Sequence, residues 1–181
     1  MSRKYKTLTI TLALAVGGFM LFGLIGRAAE LEVGAEAPKI TAVDQDGKSF
    51  SFADAYAQGY TVVYFYPKAD TPGCTKQACS LRDAYTQLTD HGVKVIGVST
   101  DGPEAQKKFQ EKYRLPFTLI ADTDKKVLEA FGVPDKLGYA QREAFLIKGG
   151  KIVWRDTSAS TAEQAADVLA AIDQLEATPK S

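Results

Sequence analysis

The sequence predicts an α/β fold in which a mixed central sheet is flanked by helices, and three observations carry that reading. Thr61-Val62-Val63-Tyr64-Phe65-Tyr66 and residues 93–98 are short runs of β-branched and aromatic residues that read as strands buried on both faces. Between and after them lie segments whose apolar residues fall three and four apart, the spacing of a helix with one buried face. Near the C-terminus, residues 144–147 and 152–155 flank Lys148-Gly149-Gly150-Lys151, an antiparallel hairpin, so the strand directions are mixed. The 181 residues suffice for one domain with a substantial core, and no internal repeat or interior linker divides them.

Residues 1–29 read as a targeting segment. Arg3, Lys4 and Lys6 precede an uncharged stretch at residues 8–25, which as a helix spans roughly 27 Å, close to the bilayer hydrocarbon thickness. It is either an uncleaved anchor or a signal peptide, since Gly26-Arg27-Ala28 offers small residues just before Ala29. Both readings put residues 30–181 outside the cytoplasm, because the positive charge lies ahead of the span. The expected location is the periplasm, with the domain released or tethered to the inner membrane. The whole chain has 22 basic and 22 acidic residues, and four basic residues with no acid fall in 1–29. Residues 30–181 therefore carry 18 basic and 22 acidic residues, a net of −4, which gives no footing for nucleic acid.

Within 30–181, residues 31–37 are a lead-in to Pro38, where the globular part begins. Residues 40–43 and 49–52 read as strands around the turn Asp46-Gly47, and 54–58 as a brief helix stopped by Gly59. Pro67 closes the strand at 61–66, and residues 68–73 form a loop with the turn formers Pro72 and Gly73. The next helix buries Ala78, Leu81, Ala84, Tyr85 and Leu88 and ends at His91-Gly92. His91 reads as a solvated helix-end residue rather than a ligand, and Arg82 as an ion-pair partner of a residue such as Asp83. Tyr64, Phe65 and Tyr66 read as core before pocket wall. A strand at 93–98, a helix at 104–113, a strand at 117–120 and a helix at 125–131 follow, the last stopped by Gly132 and Pro134. After the hairpin, residues 161–175 form a closing helix with Ala165, Val168, Leu169 and Ile172 inward.

The chemistry concentrates at the start of the helix after residue 73. Cys74 falls at or just inside that start, and Cys79, the other cysteine of the chain, lies five residues on. A thiol there meets unpaired backbone N–H groups and the positive end of the helix dipole, which favour the reactive thiolate. Thr71 can turn its hydroxyl into the same pocket, accepting from a thiol or donating to a ligand oxygen.

Pro67-x-x-x-Thr71-x-x-Cys74 resembles the active-site signature of the peroxiredoxins. The fuller Thr71-Pro72-Gly73-Cys74-Thr75, with a second cysteine at Cys79, resembles the bacterioferritin-comigratory or Q-type subgroup, and the likeness runs from about Gly34 to Ala170. That resemblance implies a thioredoxin-like fold. It implies a peroxidatic Cys74 supported by Pro67, Thr71 and Arg142, the last in an Arg-x-x-Phe context, and a resolving Cys79 that forms an intramolecular disulfide with Cys74. Ala144 departs from the serine or threonine common in the family, so it offers Arg142 no hydroxyl. The implied substrates are hydrogen peroxide and organic hydroperoxides, and the implied reductant is a thioredoxin- or glutaredoxin-like dithiol. No metal or organic cofactor is implied, and the subgroup is often monomeric. Two other classes fit less well. A membrane-tethered thiol–disulfide oxidoreductase of thioredoxin type uses Cys-x-x-Cys, whereas four residues separate these cysteines. A permanent structural disulfide is at odds with two cysteines five apart on one helix.

Overall fold

The computed structural model describes residues 31–177. The targeting helix expected at 8–25 lies outside them, and among the described residues no helix is long and apolar enough to cross a membrane. In chain order the elements are β1 (Thr41–Val43), β2 (Ser49–Ser51), α1 (Phe52–Ala55), β3 (Tyr60–Phe65), α2 (Pro72–Asp83) and α3 (Tyr85–Asp90). They continue with β4 (Val93–Ser99), α4 (Pro103–Tyr113), β5 (Thr118–Ala121), α5 (Lys126–Phe131), β6 (Asp135–Lys136) and β7 (Tyr139–Ala140). Strands β8 (Glu143–Lys148) and β9 (Lys151–Asp156) and helix α6 (Gln164–Ala177) complete the fold.

The five-stranded sheet has the order β5-β4-β3-β8-β9, parallel from β5 to β3 and antiparallel from β3 to β9. Every residue of the central β3 is buried, as expected for a strand covered on both faces. Its alternation deals side chains to two cores. Tyr60, Val62 and Tyr64 join Ala78 and Leu81 of α2, Phe109 of α4 and Val168 and Ile172 of α6. Val63 and Phe65 join Phe52 of α1, Phe131 of α5 and Phe145 of β8 on the opposite face. Tyr64 lies over its strand partner Gly97, where an added Cβ would stand 2.7 Å from the Tyr64 hydroxyl and 2.8 Å from a Leu119 methyl. Only glycine leaves room for that ring.

Several elements differ from their predicted bounds for identifiable reasons. Helix α2 starts at Pro72 rather than after Gly73, because proline at the first helical position brings a suitable φ and no N–H to satisfy. The predicted single helix to His91 is bent at Ala84 (φ −94°, ψ 10°), and its spacing conceals the bend because Leu81 and Leu88 still share one core. Phe52 belongs to α1 instead of the preceding strand, since the Ser51 hydroxyl accepts from the Asp54 N–H and starts the helix there. The fold begins before Pro38: Gly34 N–H donates to Ile152 C=O at 2.8 Å and Ile152 N–H to Ala35 C=O at 2.9 Å, tying the lead-in to β9. In α6, Leu169 packs against the core as expected but is only half-buried, and Ala171 joins the core as well. The two-residue strands β6 and β7 turn at Leu137 (φ 55°) and Gly138 (φ 90°), and a leucine in the left-handed region gives no turn signal in a sequence.

Candidate active site around Cys74

The loop from Tyr66 to Thr71 leaves the end of β3 and is held on two sides. From the end of β4, Asp101 accepts from the Ala69 N–H at 2.7 Å and from the Ser99 hydroxyl at 2.8 Å. From the end of α4, Lys112 and Tyr113 hold Asp70 with contacts of 2.7 and 2.6 Å, and they draw its carboxyl below its ordinary pKa range. Asp70 sits in the left-handed region (φ 59°), so these partners stabilise a conformation that a non-glycine residue seldom takes. Tyr113 also uses its backbone: its C=O accepts from Arg82, near the far end of α2, at 2.9 Å. Arg82 pairs with Asp83 at 2.7 Å, in line with its predicted structural role. His91 is exposed, with its ring against the Gln87 carbonyl, also as expected.

Thr71 is the N-cap of α2, and Pro72, Gly73 and Cys74 are its first three helical residues. The N–H groups of Gly73 and Cys74 therefore have no carbonyl one turn earlier in the helix, and the dipole adds positive potential there. The Thr71 hydroxyl donates to Lys68 C=O at 2.9 Å, which tightens the loop and leaves its lone pairs to accept. Pro67 is half-buried at the loop start, and Tyr66 is fully buried, its hydroxyl donating to Gln106. Burial pushes the Tyr66 phenol well above its ordinary pKa, so it stays neutral.

Cys74 is buried, with 1% of its surface exposed. Arg142 Nη2 donates to its Sγ at 3.4 Å. The two residues are far apart in sequence and meet because β8 runs antiparallel to β3. Glu143 pairs with Phe65, so the residue just before β8 arrives where β3 gives way to the loop. Gly73 gives the guanidinium its approach, since a Cβ there would lie 3.3 Å from Arg142 Nη2.

Sequence reasoning missed the support for this arginine. Arg142 Nη1 donates to Gln77 Oε1, and Gln77 Nε2 donates to Gln164 Oε1 at 2.8 Å. Both glutamines are fully buried. The contact that Ala144 cannot supply thus comes from α2. Gln77 could have been found as the residue three beyond Cys74 on the same helix face; nothing local pointed to Gln164.

Cys79 is half-buried further along α2, and both thiols are free. On one regular helix, residues five apart have Cα atoms roughly 8.7 Å apart. A disulfide needs about 7 Å or less. Among the described residues no group of three or more His, Cys, Asp or Glu could hold a metal ion.

A buried cysteine at a helix start, with a guanidinium donating to its sulfur, sets a thiol beside a fixed positive charge and unpaired backbone N–H groups. The family model described as AhpC/TSA family matches residues 33–155, which include both cysteines and Arg142. The chain belongs to the AhpC/TSA family. Among family relatives, it is 52% identical over 103 residues to peroxiredoxin Bcp of Escherichia coli K12, covering 57% of this chain and 65% of that one. It is 46% identical over 109 residues to the chloroplastic peroxiredoxin Q of Populus jackii, covering 60% of this chain and 51% of that protein. The matched region thus spans about half to two-thirds of these relatives' length. Among solved structures, peroxidoxin BcpB of Mycobacterium tuberculosis superposes with a TM-score of 0.76 at 30% identity, over 81% of this chain and 99% of that one. The bacterioferritin comigratory protein of Xanthomonas campestris, whose structures are described as insights into its alkyl peroxide reduction activity, gives a TM-score of 0.71 at 28% identity, over 80% of this chain and 97% of that one. The mixed sheet with helices on both faces is the thioredoxin-like fold of the AhpC/TSA family.

Proposed function

We propose that this protein is a thiol-dependent peroxidase acting on hydrogen peroxide and organic hydroperoxides. The observation that carries the reading is the Arg142 guanidinium set against the buried Cys74 sulfur at the start of α2. In the first step the Cys74 thiolate attacks one peroxide oxygen. An S–O bond forms, the O–O bond breaks, and hydroxide or alkoxide leaves and takes up a proton. Arg142 stabilises the thiolate beforehand and the negative charge moving onto the departing oxygen during attack. The unpaired N–H groups of Gly73 and Cys74 are assigned to the peroxide oxygens, and the Thr71 hydroxyl, whose own proton goes to Lys68 C=O, to accepting a peroxide proton.

In the second step Cys79 condenses with the Cys74 sulfenic acid, giving a disulfide and water. A thioredoxin- or glutaredoxin-like dithiol then returns both thiols by exchange. The alkyl peroxide activity stated for the Xanthomonas relative supports organic hydroperoxides as substrates. The chain works as a monomer and needs no cofactor.

The disulfide requires α2 to open. The intact helix builds the peroxide site; an opened segment from about Thr75 to Leu81 brings the sulfurs together and offers the disulfide to its reductant. The protein should consume peroxide when a dithiol donor is supplied. An equimolar addition of peroxide alone should expose the amides from Cys74 to Leu81 to hydrogen exchange, and dithiol should restore their protection. Protection that persists while mass spectrometry finds a Cys74–Cys79 bond would sink the opening step. Failure to consume peroxide would sink the function.

Residues 1–29 act as the signal or anchor that delivers residues 30–181 to the periplasm. A reporter active only in the periplasm, fused after Ser181, should be active, and a cytoplasmic reporter silent; the reverse pattern would overturn export. A mature N-terminus at or near Ala29 means cleavage, and an intact one means a tether.

A further inference from the structure

We propose that Gln164, at the start of α6, is a positioning residue for the Cys74 site: it fixes which way round Gln77 presents its amide and so keeps Arg142 aimed at the sulfur. This rests on the peroxidase reading above. A guanidinium can only donate, so the end of the Gln77 amide that faces Arg142 must be the oxygen. The Gln77 nitrogen then faces the other way, where Gln164 Oε1 receives it at 2.8 Å. The three side chains form a line in which Arg142 donates to Gln77 and Gln77 donates to Gln164.

Gln164 reinforces from the far side the direction that Arg142 favours from the near side. If its acceptor were missing, nothing on that side would favour the Gln77 nitrogen over the oxygen. A flipped Gln77 would set an N–H against the Arg142 N–H groups, and both glutamines are too buried for solvent to relieve the conflict. Arg142 would then swing away from Cys74. Gln164 Nε2 is buried and has no hydrogen-bond partner among the described residues. A buried donor left unpaired is unfavourable, and an apolar side chain of equal length would avoid it. The acceptor is thus the useful end of this residue. Its position is fixed by a second contact between the same helices, in which the Ala165 N–H donates to the Ser80 hydroxyl at 3.3 Å.

The test is a double-mutant cycle on the full chain, read as the rate of single-turnover attack on hydrogen peroxide. The proteins are the unaltered chain, Gln164→Met, Gln77→Glu and the pair together. A carboxylate has an acceptor oxygen at each side, so it has no wrong way round and does not need Gln164 to orient it. Gln164→Met alone should slow attack about tenfold, the low end of losses on removing a supporting partner from a functional group. In the Gln77→Glu background the same change should slow it by less than about twofold, the independence expected once the coupling is gone. Equal losses in the two backgrounds would overturn the proposal and leave Gln164 as a packing residue. Gln164→Leu, which also lacks the acceptor, enters the cycle if the methionine variant does not fold. An unaltered chain that leaves peroxide untouched overturns the peroxidase reading and this inference together. One that consumes it with equal losses overturns the inference alone.

Discussion

Serine in place of Cys74 is expected to lower peroxide consumption by at least on the order of 10³, the scale of loss when a nucleophile is removed from a working site. A serine hydroxyl is hardly ionised near neutral pH and is a far weaker nucleophile than a thiolate. The helix start and Arg142, which favour an anion at this position, would face a neutral group. Cys79→Ser should behave differently. It should consume about one peroxide per chain in a rapid first turnover and then stall, because the sulfenic acid has no partner. Stopped-flow peroxide consumption separates the two variants. Full activity in Cys74→Ser would remove Cys74 from the chemistry, and normal cycling of Cys79→Ser with thioredoxin-type donors would remove Cys79 from the resolving step.

Replacing Arg142 with alanine is expected to slow the first turnover by on the order of 10²–10³, the usual effect of deleting one preorganised donor to a developing charge. Two losses combine: the cation beside the sulfur, and the N–H groups near the departing oxygen. Arg142→Lys should recover only part of the rate, since a lysine restores charge without the fork that reaches Cys74 and Gln77 together. Arg142→Ala also leaves the buried Gln77 oxygen unpaired, which destabilises the fold by about 1–3 kcal/mol. Thermal unfolding therefore has to accompany the kinetics. A folded alanine variant with a near-normal rate would remove Arg142 from the site.

The parts of this molecule legible in its sequence are those set by local chemistry. The run from Thr61 to Tyr66 could hardly be anything but a buried strand, and the Gly149-Gly150 turn marked the hairpin. Cys74 was placed at a helix start by the turn formers before it. Arg142 was legible only through the family motif, since its route to Cys74 depends on how β8 pairs with β3. Gln164 was illegible for the same reason. It lies far along the chain from Gln77, and a glutamine at the start of a helix looks like a solvated residue until the helix is docked. The bend at Ala84 and the turn at Leu137 escaped because core periodicity continues across the one and no glycine or asparagine leads the other.

Lys112 and Tyr113 are neighbours at the end of one helix, and between them they hold the chain before α2, through Asp70, and near its end, through Arg82. A segment clamped at both ends melts like a bridge span between standing piers, and not like a rope from its loose end. The freed residues form a short closed loop, whose conformational entropy is small compared with that of an unravelled tail. Two consequences follow for the proposed cycle. The sulfurs stay within one tether's length, so their encounter is set by loop closure and is independent of protein concentration. And if Asp70 and Arg82 stay held while the segment opens, the helix can reseed from fixed ends after each reduction, which keeps the memory of the folded shape outside the part that melts.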